Sequence, residues 1–501
     1  MELEFETRTT DYLRQSIEGV CRQEQTLEVI VPDASPDAAR VVYCGAQAVV
    51  RSRECRSGAI ELTGGIQAGA VYLTEADGAP RALTAWLPFT LRLEHPAAKD
   101  DTQILMDCRV LAADARLVNS RKILFRAEVG AQIMGFAADR IELPLLKQTP
   151  PELQLRCRNY PLPLPAETAE KRFLVSDELT LPAGQPTPET ILCVSTVPEI
   201  TERRIVGSKA VFKGSAEIRI LYQATDGSIC AVSQTFPFSQ YCQLAGDYDE
   251  EQLRLCMAVT SCDAELPTEG GTMAVSAGLL AQCLVTKTVT LPFCEDAFVT
   301  HGTLQAEWKE FTFDCQLDRQ VQQLALRDTL RGEPLRSVID SAVFVDFPRT
   351  EPVEQGVRVT VPVNVRVLGL DAEGMMQGLS GAARAETELP AECGAICRAS
   401  AALRPEGSAS PSGDGAELRA ALTLDAGFFA QQTLRTLSAG TIDPPAESEA
   451  RRPSLVIRAG LDGGPVWDVA KQYGTSVAAI CAANGLSGEE IEAGGMLLIP
   501  M

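Results

Sequence analysis

The chain has 501 residues, enough for three or four domains with cores of their own. It carries 45 Lys plus Arg against 67 Asp plus Glu, a formal charge of -22 that repels nucleic acid and anionic lipid over most of the surface. With 45% hydrophobic, 22% charged and 5% aromatic residues the composition is globular and argues against an aromatic-lined carbohydrate scaffold, while two histidines, His95 and His301, leave little for histidine chemistry.

The N-terminal run MELEFETRTTDYLRQ opens with acids and alternates polar with apolar residues, unlike a secretion signal. The uncharged stretch most like a span, Gly270 to Thr286, is shorter than a membrane span and carries Thr272, Ser276 and Gln282, so a soluble cytosolic protein without a transmembrane segment is expected. Sixteen cysteines occur without any CxxC pair. Those such as Cys44 and Cys193 lie among valines and leucines and are read as small core residues.

Strand-like alternation then recurs three times. Ile60, Leu62, Gly64, Ile66, Ala68, Ala70 and Tyr72 share one face; so do Ala210, Phe212, Gly214, Ala216, Ile218, Ile220 and Tyr222. The third set is Val357, Val359, Val361, Val363, Val365 and Val367, where Pro362 suggests an edge or a bulge. Each runs into a turn ending in glycine: EADG at Glu75–Gly78, ATDG at Ala224–Gly227 and DAEG at Asp371–Gly374. These glycines stand 149 and 147 residues apart, and LPF (Leu87–Phe89) and FPF (Phe236–Phe238) follow the first two. A period of about 150 residues is too long for a solenoid, so each unit is expected to be a domain.

The latter half of each unit again alternates: Ile123, Phe125, Ala127 and Val129; Met273, Val275, Ala277 and Leu279; Leu418, Ala420, Leu422 and Leu424. The expected limits are 1–148 for the first unit, 149–169 for a proline-rich connector, 170–323 for the second unit and 324–438 for the third. A linker over 439–453 and a terminal module over 454–501 complete the chain.

In the terminal module the period changes. Leu455 to Ile457 reads as a strand, Val466, Val469, Ala470 and Tyr473 fall at helical spacing, and Val477, Ile480, Cys481 and Leu486 do so again before a last strand, Met496 to Ile499. Gly474 suits a helix C-cap, and Thr475 or Ser476 an N-cap. The fold class expected is therefore multidomain and mainly β, with three β-rich repeats followed by a small βααβ module.

WDVAKQYGTSVAAICAANGL (Trp467–Leu486) with MLLIP (Met496–Pro500) resembles a LysM domain. The departure is AGLDGGPVW from Ala459, which replaces the family's usual approach to the tryptophan. In the family that segment forms part of a groove for N-acetylglucosamine-containing glycans, which here would lie near Gly460–Pro465 and Asn484–Ser487. The three blocks resemble the SPOCS domain of spore-coat assembly proteins, through VIVPDASPDAARVV from Val29, ARLVNSRKILFRAEV from Ala115 and LPAGQPTPETIL from Leu181. SPOCS-like repeats followed by LysM imply a non-enzymatic scaffold of the endospore coat, at the forespore surface on the mother-cell side. It would bind the coat basement-layer ATPase through its LysM end and other coat proteins through the repeats. The alternative the resemblance leaves is a peptidoglycan-binding protein of cortex or wall.

In the module, Trp467, Tyr473, Ile480 and Leu486 are expected to be structural, and Lys471, Gln472, Asn484 and Gly485 to face a partner, although Asn484 could equally cap the second helix. From Ser454 onward Arg458 and Lys471 stand against Asp462, Asp468, Glu489, Glu490 and Glu492. This acidic balance gains nothing from anionic peptidoglycan, which places protein docking ahead of glycan binding. Elsewhere Arg121 and Lys122 form either a solvated turn or a contact for an acidic partner. No glycine loop for phosphate, positioned carboxylate pair or metal-ligand set appears. Cys393 and Cys397 could share a helical face but lack further ligands, so no catalytic residue, metal or cofactor is assigned.

Overall fold

The computed structural model describes residues 1–248, 252–266, 272–405, 407–445, 453–459, 463–491 and 493–501. Three units follow one path. The first is β1 (Phe5–Ile30), β2 (Ala38–Arg56), β3 (Ala59–Thr74), β4 (Pro80–Glu94), β5 (Gln103–Asn119) and β6 (Lys122–Leu146). The second is β7 (Leu153–Thr180), β8 (Pro188–Val206), β9 (Lys209–Ala224), β10 (Ile229–Gln243), β11 (Gln252–Ala264) and β12 (Thr272–Val299). The third is β13 (Thr303–Arg331), β14 (Ser337–Val345), β15 (Arg349–Val353), β16 (Gly356–Leu370), β17 (Met376–Pro390), β18 (Ile396–Leu403), β19 (Ser408–Ser412) and β20 (Gly415–Asp443). In each, the long first strand pairs antiparallel with the long last one, giving sheets β1-β6-β5, β7-β12-β11 and β13-β20-β18. The strands between form the meanders β2-β3-β4 and β8-β9-β10, with β16 flanked by β14, β15 and β17 in the third unit. The two sheets of a unit close on each other as a sandwich.

The alternating faces expected from sequence fill those sandwiches. Ile60, Leu62, Ile66 and Tyr72 meet Phe125, Val129 and Ile133, and the Val357–Val367 series meets Leu418, Leu422 and Phe428. Gly78, Gly227 and Gly374 adopt φ of 69°, 81° and 80° at the hairpin turns, where a side chain would be strained. Pro362 is not at a sheet edge, because β16 is the central strand. Its carbonyl accepts from the Asp346 amide (2.9 Å) at the break between β14 and β15, so its missing N–H points where the neighbouring strand is interrupted and costs no ladder bond.

The strands draw unit limits that differ from the expected ones. The proline-rich segment 149–169 is mostly the start of β7, an edge strand paired only to β12, in which Leu162 and Leu164 are buried while Pro161, Pro163 and Pro165 alternate with them. An edge strand tolerates prolines whose nitrogens face away from the ladder. Residues 303–323 belong to β13 and pair with β20, so they are part of the third unit. β20 continues to Asp443, inside the expected linker, and residues 446–452 lie outside the described ones, as does the Thr268–Gly271 turn.

The units are packed together rather than strung out. The ends of β1/β6, β7/β12 and β13/β20 converge on a common core of Ile141, Leu143, Leu164, Leu291, Phe293 and Phe313. At the meander sheets Tyr43, Val71, Leu221 and Leu368 form a second shared core. Polar contacts cross the same joints: Tyr43 Oη donates to Asp340 (2.7 Å), Gln282 Nε2 to the Met106 carbonyl (2.9 Å) and Arg219 to the Ser341 carbonyl (2.8 Å). The first residues close the circle, with Leu3 N–H on Gly440 O (2.9 Å) and Ile442 N–H on Met1 O (2.7 Å). A cavity of about 540 Å³ lies where the three units meet, and most of its charges are paired, as Arg109 with Asp107, Arg219 with Glu217 and Arg404 with Glu199.

Candidate docking site on the C-terminal module

The terminal module comprises β21 (Leu455–Ala459), β22 (Gly464–Pro465), α1 (Val466–Tyr473), α2 (Val477–Asn484), β23 (Glu490–Ile491) and β24 (Met496–Pro500). β21 pairs with β24 and β22 with β23, which gives the expected βααβ order an added short bridge. Gly474 ends α1 at φ 65°, and the Ser476 side chain accepts the Ala479 amide to start α2. Val466, Val469, Ala470, Ile480, Leu497 and Ile499 make the module's small core.

Trp467 does more than fill that core. Its ring meets Phe298 of β12 edge to face, centroids 4.9 Å apart, and the Arg156 guanidinium lies 5.7 Å from the indole. Its Nε1–H donates to Asp296 Oδ2 at 2.9 Å, and Lys471, one helical turn on, places Nζ 2.8 Å from both oxygens of the same carboxylate. Burial works to raise the Asp296 pKa, but the Lys471 and Trp467 hydrogen bonds prevail and hold the carboxyl below its ordinary value. Asp296 stands directly opposite Arg156 across β12 and β7, so the module is seated on the end of the second unit's long ribbon.

The residues expected to face a partner therefore divide. Lys471 is engaged by Asp296, and Gln472, though exposed, accepts from Arg458 at 2.9 Å. Asn484 clamps α2 to β24: its amide donates to the carbonyls of Ile480 (2.8 Å) and Leu498 (2.6 Å), and its oxygen accepts the Leu498 amide at 2.7 Å. Gly485 is exposed, at φ 62°, where it ends α2. Ile480 is fully buried and Tyr473 and Leu486 half-buried, all against the module core. Of the expected groove, residues 460–462 lie outside the described ones.

Sequence reasoning missed the seat formed by Arg156, Asp296 and Phe298, which no local pattern marks. It also missed the outer face of the module's sheet. Leu455, Ile457 and Met496 are 46%, 59% and 69% exposed there, while Val456, Leu497 and Ile499 face the core. The signal was present: LVI in β21 is apolar on both faces of a two-stranded sheet, which has only one core to fill.

Other candidates are structural. Arg121 donates to the carbonyls of Val31, Pro32 and Ser35 and to Asp37, pinning the loop after β1, and Lys122 pairs with Glu28 at 2.8 Å. His95 Nδ1 accepts the Ala97 amide in a turn. Cys393 lies in a turn and Cys397 in β18, so they share no helix. Strand pairing to β20 sets the conformation there. Among the described residues no group of three or more His, Cys, Asp or Glu is placed to hold a metal, and no helix is long and apolar enough to cross a membrane.

Two family models match the chain. The SPOCS domain of SipL matches residues 188–266, which span β8 to β11 of the second unit, and the LysM domain matches 466–500. Comparison with curated proteins and with solved structures gives no match. The matches support a sporulation-associated protein with a LysM module of the peptidoglycan-binding kind, and neither matched domain type is catalytic. The first and third units share the strand path of the matched one.

Proposed function

We propose that the chain is a non-enzymatic scaffold of endospore coat assembly, acting at the forespore surface on the mother-cell side. The body comprises units over 1–147, 153–299 and 303–443 and offers surfaces to other coat proteins, while the module from residue 454 docks on the basement-layer ATPase. The observation that carries this reading is the two-sided module: α1 is bound down on Asp296, and the opposite sheet face leaves Leu455, Ile457 and Met496 in water. An exposed apolar face suits a protein surface better than a neutral sugar, which asks for hydrogen bonds along a groove.

A second reading, glycan binding by the module, is favoured by the LysM match itself and by exposed Gly463 and Gly485 beside the expected groove. Full-length protein and its Ile457→Lys variant, tested against the purified ATPase and against chitooligosaccharide, separate the two. We expect ATPase binding weakened about 10-fold or more by the substitution, the scale of a central apolar contact. Saturable sugar binding that Ile457→Lys leaves intact, with no ATPase retained, would reverse the order.

A further inference from the structure

All sixteen cysteines are reduced, and two of them oppose each other on the ribbon that seats the module. Cys157 of β7 and Cys294 of β12 are direct register partners. Antiparallel partners hold their Cα atoms about 4.5 to 5.5 Å apart, within the roughly 4.4 to 6.8 Å a disulfide spans. The Cys294 amide donates to Thr436 Oγ1 at 3.2 Å instead of across to Cys157, which marks the narrow type of pair, where side chains come closest. A bulge follows between Cys294 and Asp296 and gives the backbone room to adjust.

The two sulfurs differ in chemistry. Cys157 is exposed, and the neighbouring Cys294 thiol holds its pKa below the ordinary thiol value, which enlarges its thiolate fraction. Cys294 is buried, and the neighbouring Cys157 together with burial pushes its own pKa up. Its thiol donates to the Asp296 carbonyl at 3.4 Å. An accessible nucleophile thus stands beside a sheltered resolving thiol.

We propose that Cys157 and Cys294 are a modification site, closing under glutathione disulfide into a reversible cross-strand disulfide beneath the docked module. The Cys157 thiolate attacks one sulfur of glutathione disulfide, breaks its S–S bond and releases one glutathione thiolate. Cys294 then gives its proton to solvent, attacks the Cys157 sulfur of the mixed disulfide and expels the second glutathione. The protein loses two electrons and two protons, and one glutathione disulfide becomes two glutathiones. The clasp lies beside Arg156 and two residues before Asp296, and so it fixes the strands whose ends carry the Trp467 contact. A second pair provides an internal contrast. Cys242 of β10 and Cys283 of β12 also neighbour each other, but both are fully buried between the sheets of the second unit, where glutathione has no access.

The test treats the folded full-length chain with glutathione disulfide, alkylates the remaining thiols and maps peptides without reduction. Before alkylation the expected product is a monomer about 2 Da lighter, the two hydrogens lost on disulfide formation; the map then shows one cross-linked peptide joining Cys157 to Cys294, with Cys242 and Cys283 both alkylated after unfolding. Its melting temperature rises above that of the reduced chain, and the rise is absent in Cys157→Ser, which changes an exposed atom only. A stable glutathione adduct on Cys157 with Cys294 still open to alkylation would overturn the proposal, as would a cross-link between chains.

Discussion

Among the described residues, Asp296 concentrates in one carboxylate most of the polar bonding between module and body. It receives the Trp467 indole N–H and the Lys471 ammonium, and its neighbour across the ribbon, Arg156, covers the indole face. Replacing it by alanine leaves a half-buried donor and a cation without partners, a loss of about 1 to 3 kcal/mol at the joint. In Asp296→Ala, hydrogen exchange of the α1 amides should run about 5- to 150-fold faster while the sandwich strands keep their protection, as read by mass spectrometry. Equal exchange in both proteins would mean that the core contacts alone hold the module. Because the folded-state pKa of Asp296 is depressed, its contribution is complete above the ordinary carboxyl value of about 3.9 and is lost as pH falls through the lower folded value. Exchange of α1 in the wild type should therefore stay constant from neutral pH down to about 4, after correction for intrinsic rates, and accelerate only below it. The Asp296→Ala protein should lack that acid step.

At the level of single strands, the sandwiches depend on close packing where two strands cross. Gly214 on β9 faces Phe238 of β10, and Gly64 on β3 faces Phe89 of β4 in the same register. A Cβ at Gly214 would lie 2.0 Å from the Glu199 carbonyl oxygen and 2.7 Å from the Phe238 ring, so Gly214→Ala must push a backbone aside. A loss of at least about 1 to 3 kcal/mol, the usual cost of overpacking, is expected in urea unfolding. In the third unit the corresponding pair is Val361 and Ala385, with the bulk moved to the other strand. Alternation made these core faces legible in sequence, as did the turn glycines and the βααβ order of the module. The unit limits were not legible, because β7 reads as a proline-rich connector and β13 is set off from the preceding unit only by the short Thr300–Gly302 turn. Both depend on pairing with strands far away in the chain, at β12 and β20. The seat at Asp296 was hidden for the same reason: a lone carboxylate acquires its role only when a distant tryptophan and lysine arrive together.

Across the whole molecule the three units behave as one folded body, since they share cores at the ribbon ends and at the meander sheets. Near-continuous apolar runs such as that of β3, buried on both faces, were the sequence's sign of this second layer of burial. Packing of this kind replaces linker-based avidity with a rigid display, so partners would meet fixed surfaces rather than tethered ones. It also fixes where the chain can be cut. A truncation after Ala439 removes Gly440 and Ile442, which hydrogen-bond Leu3 and Met1, and with Ile442 a buried side chain packed near Leu3. A truncation after residue 445 removes the module alone and keeps that closure. Scanning calorimetry should give the 1–445 protein one cooperative transition near that of the full chain, while the 1–439 protein melts several degrees lower because Met1 and Leu3 lose their partners and Thr303–Ala306 of β13 lose the end of β20. In a sporulating cell the 1–445 protein should then accumulate but fail to gather at the forespore. Normal localisation of 1–445 would place the tether in the three units instead of the module, and separate transitions in the full chain would show that the shared cores do not couple them.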